Sequence, residues 1–173
     1  MSNYKDKLHK ITTFIFDYDG VITDGTVFPT AEGDLMRTAD VKDGYAMQLA
    51  VKKGYRIVII SGGKSASMQQ RMSSLKIMDV FLGISNKKEI FEKYVTENNL
   101  KLEEILYMGD DIPDYELLQI VGVSCCPSDA AEEILEAVDY ISHKPGGKGA
   151  VRDVLRQVMK LQGKWFDKDA FHW

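Results

Sequence analysis

Short apolar runs rich in β-branched and aromatic residues recur along the chain at Ile11–Phe16, Tyr55–Ile60, Val80–Ile84 and Ile105–Met108. Each stops at a small cluster of polar or turn residues, and helical spacing takes over beyond it. A near-continuous apolar run such as Ile57-Val58-Ile59-Ile60 is the pattern of a strand covered on both faces, as in a parallel sheet. Between the first two runs, Val41, Tyr45 and Leu49 with Ala46 and Ala50 predict a helix over Val41–Lys53, capped by Asp40 and ended by Gly54. Further helices are predicted from about Ser65 to Leu75, from the turn at Ser85-Asn86-Lys87 to about Asn98, before Ile120, from about Asp129 to Ala137, and from Lys148 to Leu161. The stretches 122–127 and 140–142 read as two more strands. Strands alternating with helices predict an α/β fold: a doubly wound, Rossmann-like, mostly parallel sheet with helices on both faces.

Two segments depart from this rhythm. Thr26–Pro29 and Leu35–Thr38 flank the turn cluster Thr30–Asp34 and predict a β-hairpin over about 25–40, outside the main sheet. It either closes over a site, pairs with a neighbouring subunit, or lies on the surface as an ordinary hairpin. The tail 164–173 is charged yet carries Trp165, Phe166, Phe171 and Trp173, which favours docking on its own domain or on a neighbour over disorder. Residues 1–163 read as a single domain.

Composition narrows the function classes. Of the 173 residues, 45% are hydrophobic and 28% charged, ordinary proportions for a soluble enzyme. A net charge of -4 argues against nucleic acid or an anionic membrane as the main partner. The chain starts without a signal-like apolar stretch and has no run of membrane-spanning length, so the expected location is the cytoplasm. Cys125 and Cys126 are adjacent, which suits neither a disulfide nor a metal site and predicts buried, reduced thiols.

The chemistry gathers at strand ends. The first run stops at Asp17-Tyr18-Asp19-Gly20, the second at Ser61-Gly62-Gly63-Lys64, Lys87 follows the third, and Gly109-Asp110-Asp111-Ile112-Pro113-Asp114 follows the fourth. In an open parallel sheet these ends face one crevice. Clustered carboxylates repel unless a hard cation sits among them, and oxygen ligands suit Mg²⁺. Ser61 with Gly62 and Gly63 at a helix start offers a phosphate cradle, and Lys87 supplies a counter-cation. The set points to phosphoryl transfer. Each piece also has a plainer reading: a capped strand end for Asp17 and Asp19, a helix cap for Ser61, a solvated helix start for Lys87, a surface loop for the three aspartates.

In these four stretches the chain resembles the haloacid dehalogenase-like phosphohydrolases, over Asp17 to Asp114 in motifs and to about Leu161 in strand pattern. The resemblance implies that Asp17 is the nucleophile, Asp19 the general acid/base, and Ser61 and Lys87 the remaining catalytic groups. It implies Mg²⁺ as cofactor, bound by Asp17, by the backbone carbonyl of Asp19 and by Asp110, with Asp111 and Asp114 as further ligands or supporting groups. The intervals 17–61 and 61–87 have no room for a cap domain, only for the hairpin. The runs Val41–Tyr45, Ser85–Lys87 and Gly146–Arg152 are similar to a capless, tetrameric subgroup that dephosphorylates keto-sugar acids. That similarity implies octulosonate 8-phosphate as substrate, with a nonulosonate 9-phosphate as the alternative and a silent oligomerisation domain as the reading from another class. It also implies a homotetramer with the hairpin and tail at neighbouring active sites. Where the subgroup shows Gly-Arg after the second motif, this chain has Gly62-Gly63-Lys64. Gly62, Gly63, Lys64, Arg71, Lys42 and Lys148 are the candidates for holding the anionic substrate, with Lys64 and Arg71 expected on one helix face.

Overall fold

A computed structural model describes residues 3–172. Six parallel strands form the main sheet in the order β5-β4-β1-β6-β7-β8, with β1 at Thr13–Phe16, β4 at Arg56–Ser61, β5 at Asp79–Leu82, β6 at Ile105–Met108, β7 at Val123–Cys126 and β8 at Tyr140–Ile141. The predicted α/β architecture is therefore present, and among the described residues no cap domain interrupts it. From β1 the chain builds outward on one side through β4 and β5, then returns to the other side of β1 with β6. That reversal of strand order opens a crevice above the carboxyl ends of β1, β4 and β6.

Side chains alternate across the sheet, and each face carries its own core. Phe14, Phe16, Ile57, Ile59, Leu106 and Met108 pack with Met47, Leu49, Met68, Met72, Leu155 and Val158 of helices α2 (Val41–Lys52), α3 (Ala66–Ser74) and α7 (Ala150–Leu161). Ile15, Val58, Ile60, Ile105 and Tyr107 pack on the other face with Phe91 and Tyr94 of α4 (Lys87–Glu97), Leu117 of α5 (Tyr115–Leu118) and Ile134 of α6 (Glu132–Leu135). Period-2 alternation in strands that are apolar on both sides is what a doubly covered sheet requires. Cys125 and Cys126 fall on opposite faces, both buried and free, as expected of core thiols.

Several boundaries differ from those predicted. A short helix α1 (Tyr4–Lys7), capped by Asn3, precedes β1. Helix α2 keeps its predicted bounds within a residue, with Asp40 accepting from the backbone N–H groups of Lys42 and Asp43. Val41 is exposed, however, and the buried face is set by Asp43, Gly44, Ala46, Met47, Leu49 and Ala50. Helix α7 begins at Ala150, because Gly149 adopts φ +108°. The hairpin pairs only two residues per strand, β2 (Phe28–Pro29) with β3 (Leu35–Met36), and leaves Phe28 and Met36 half exposed.

The tail docks on its own domain as far as His172. Trp165 is buried beneath Arg152, whose guanidinium lies 5.0 Å from the indole ring. Lys53 Nζ bridges Asp167 and Asp169 at 2.5 and 2.6 Å, and the Tyr45 hydroxyl donates to the Ala170 carbonyl. Tyr45 lies in the first half of α2 and Lys53 just past its end, so the tail runs along that helix. Trp173 lies outside the described residues.

Candidate active site

The crevice is a cleft of about 750 Å³ lined by Asp17, Asp19, Ser61, Gly62, Gly63, Lys87, Asp110 and Asp114 among others. Asp17 and Asp19 follow the last residue of β1, and their side chains part ways. Asp17 is 7% exposed; one carboxylate oxygen accepts from the Tyr18 backbone N–H at 2.6 Å and the other faces Lys87 Nζ at 2.9 Å. Asp19 turns toward the hairpin and pairs with Arg37.

Lys87, the first residue of α4, follows its Asn86 cap and reaches inward between two carboxylates. Its second partner is Asp114, which has no exposure at all. Asp114 organises the loop after β6: one oxygen accepts from Lys87 at 2.6 Å and from the Tyr107 hydroxyl, the other from the backbone N–H groups of Asp110 and Asp111 at 3.1 and 3.4 Å. Burial pulls the Lys87 ammonium down, but Asp17 and Asp114 together outweigh it and hold the pKa above its ordinary value.

Asp17, Asp110 and Asp114 bring one carboxylate oxygen each within 4.8 Å of one another. Burial, and next the neighbouring Asp114, push the Asp17 carboxyl up to about 6 against the opposing pull of Lys87. Burial and the charge of Asp17 push Asp110 up to about 8. The Asp110 carboxylate accepts no hydrogen bond among the described residues, and it lies against Gly20. A Cβ at Gly20 would stand 1.9 Å from Asp110 Oδ2, and Gly20 has φ +78°, so both space and backbone demand glycine. A half-buried carboxylate crowded by like charge and lacking a protein donor fits a hard cation coordinated by oxygen. Asp111 does not join this group: exposed, it caps the following 3₁₀ turn by accepting from the Ile112 N–H at 2.8 Å. Asp114 is spent on Lys87, Tyr107 and the loop backbone, the work of a supporting group.

Ser61 ends β4 almost fully buried, and its Oγ accepts from the Gly63 N–H at 3.2 Å. Gly62 and Gly63 line the cleft, but α3 begins only at Ala66, after the Ser65 cap. The candidate cradle is therefore a loop rather than a helix terminus, and Lys64 precedes the helix instead of sharing a face with Arg71. The four cations expected at the substrate do not line the cleft of their own chain. Lys64 lays its stem over Gly83, and the Arg71 guanidinium lies over Gly44, where a Cβ would be 2.2 Å from Nη2. Lys42 and Lys148 line a separate hollow of about 290 Å³ beside the start of α7. Two residues absent from the sequence reading are part of the site. Tyr107 shows in sequence only as a tyrosine within an otherwise apolar run, and Arg37 gives no local signal, since its partner is 18 residues away.

A family model described as haloacid dehalogenase-like hydrolase matches residues 71–155. The 3-deoxy-D-manno-octulosonate 8-phosphate phosphatases of Salmonella typhi and Escherichia coli are each 32% identical over 158 residues, covering 91% of this chain and 84% of theirs. The crystal structure of the corresponding Yersinia pestis phosphatase superposes with a TM-score of 0.91 at 27% identity, covering 94% of this chain and 88% of that one. That of Moraxella catarrhalis, in complex with magnesium, phosphate and the 3-deoxy-D-manno-octulosonate sugar, gives 0.91 at 30% identity over 99% and 97%.

Proposed function

The chain belongs to the haloacid dehalogenase-like hydrolases and is a phosphatase, and on that premise we propose that it hydrolyses 3-deoxy-D-manno-octulosonate 8-phosphate in a Mg²⁺-dependent reaction. The observation that carries the mechanism is the Asp17–Lys87–Asp114 row beside a carboxylate, Asp110, that no donor among the described residues satisfies. Asp17 and Asp110 would hold the magnesium ion, together with the backbone carbonyl of Asp19. When bound, the ion supplies charge neutralisation between the carboxylates and the phosphoryl group. Asp17 attacks phosphorus and becomes an aspartyl-phosphate; Lys87 keeps its carboxylate aimed and ionised. Asp19 gives a proton to the departing sugar oxygen, then takes one from the water that hydrolyses the aspartyl-phosphate. Ser61 and the backbone N–H groups of Gly62 and Gly63 orient phosphoryl oxygens.

The substrate assignment is supported by the similarity to phosphatases of that name along nearly the whole chain. The same reading takes residues 1–163 as one phosphatase domain acting in the cytoplasm. It also takes the assembly as a homotetramer, with the half-exposed apolar hairpin residues Phe28 and Met36 beside a neighbour. Phosphate release from octulosonate 8-phosphate, nonulosonate 9-phosphates and hexose phosphates, with Mg²⁺ and with chelator, tests it. Strong Mg²⁺-dependent preference for the octulosonate is the expected result. Preference for a nonulosonate overturns the substrate and keeps the chemistry.

A further inference from the structure

Arg37 lies one residue beyond β3, on the return of the hairpin, and turns its side chain back onto Asp19, which lines the cleft. Its Nε and Nη2 donate to Oδ1 and Oδ2 of Asp19 at 2.6 and 2.9 Å, so each carboxylate oxygen has its own donor. The remaining Nη1 donates to the Leu35 carbonyl at 2.6 Å, which ties the guanidinium to the hairpin's own backbone. The Arg37 side chain is 4% exposed, against 32% for that of Asp19. Its fork is thus enclosed while the carboxylate keeps an open side toward the cleft.

A third segment completes the arrangement. A Cβ at Gly63, in the loop after β4, would stand 2.6 Å from Asp19 Oδ2 and 2.9 Å from Arg37 Nη2. Gly63 has no positive φ to account for its choice, so the ion pair is what fills the space a side chain would take. Loop, hairpin and second loop meet at this one pair.

A guanidinium engaging both oxygens fixes the plane of a carboxylate as well as its position, which a single-point donor cannot do. A group that must pass a proton to a leaving oxygen depends on such alignment within hydrogen-bond reach. We propose that Arg37 is a positioning residue for Asp19, that the hairpin exists in part to deliver it, and that Gly63 is the vacancy that admits it. The inference rests on the acid/base role of Asp19 proposed above.

Leaving-group chemistry tests it. The quantity kcat/KM reports steps through departure of the leaving group, so a misaligned acid harms only substrates whose leaving oxygen needs a proton. Arg37→Gln is compared with the unmodified chain on octulosonate 8-phosphate, a poor leaving group, and on 4-nitrophenyl phosphate, a good one. The expected result is a fall in kcat/KM of about 10- to 100-fold on the first and less than about 3-fold on the second. Arg37→Lys should recover only part of the loss. Equal losses on both substrates, or none on either, overturn the proposal, because phosphate binding or simple tethering of the hairpin would not distinguish leaving groups. If Arg37→Gln fails to fold, Arg37→Lys decides by the same comparison, because it keeps the charge and loses the two-point hold: a selective loss is expected, and equal losses overturn the proposal. The unmodified chain's own rates separate the two readings. If it cleaves other alkyl phosphates but not the octulosonate, only the substrate assignment falls, and the comparison is made on the alkyl phosphate it accepts. If it releases no phosphate at all, the acid/base role falls and this inference with it.

Discussion

Lys87 Nζ stands 2.6 Å from Asp114 and 2.9 Å from Asp17, and the side chains of the three are 6%, 0% and 10% exposed. A single cation thus serves two buried carboxylates, one that attacks in the proposed mechanism and one that anchors the loop after β6. Replacing Lys87 by Met leaves both without their ammonium. Loss of one partner from a buried ion pair typically costs about 3–5 kcal/mol. Lys87→Met should therefore lower stability by that order in denaturant unfolding as well as abolish phosphate release. A variant with unchanged stability would mean that the pair contributes nothing to the fold.

Asp110 and Asp17 carry raised pKa values, about 8 and about 6. For a carboxylate whose folded pKa lies above its unfolded value, the associated stability is complete below the unfolded pKa and is lost as pH rises through the folded one. In chelator, the unmodified chain should lose stability relative to Asp110→Asn as pH rises from about 5 to about 8. Added Mg²⁺ should reverse the order by binding only the chain that keeps Asp110. Thermal unfolding at several pH values with and without Mg²⁺ reads this directly. A pH-independent gap between the two chains would refute it.

Asp43 is a fully buried carboxylate that joins α2 to the start of α7, accepting from the backbone N–H groups of Gly149 at 3.1 Å and Arg152 at 2.7 Å. Burial raises its pKa to about 6 in spite of those two donors. Asp43→Ala orphans both N–H groups and should cost about 2–4 kcal/mol. Asp43→Asn keeps one acceptor and should cost less. It should also remove the part of the stability profile that declines as pH rises from the ordinary carboxylate range through about 6. Urea unfolding of the two variants at pH 5 and pH 7 checks both statements.

The tail contributes to the fold without lining the cleft of its own chain. Trp165→Ala removes a buried ring from beneath Arg152 and should cost about 2–4 kcal/mol while leaving kcat within a factor of two or so in folded protein. Lys53→Ala breaks surface ion pairs with Asp167 and Asp169 and should cost clearly less than Trp165→Ala. Comparable losses in the two variants would overturn the ranking of ring burial over surface charge.

Features that depend on local order were legible along the chain. The apolar runs marked β1, β4 and β6 because strands covered on both faces leave no polar register to confuse, and a shorter run marked the half-buried edge strand β5. Strand ends in a parallel sheet share one edge, so Asp17, Ser61, Lys87 and Asp110 could be placed in one crevice without knowing any distance. The cap at Asp40 and the end at Gly54 were legible because capping is chemistry between near neighbours. Tertiary structure alone decided which side chain meets which across the fold. It parted Asp17 from Asp19, sent Asp111 to a cap and Asp114 to Lys87, and drew Lys64, Arg71, Lys42 and Lys148 away from the cleft of their own chain. It also brought Arg37 to Asp19. Such pairings depend on how a hairpin folds back and where a helix begins, set by packing between segments far apart in the chain, and a pattern read along one dimension carries no record of them.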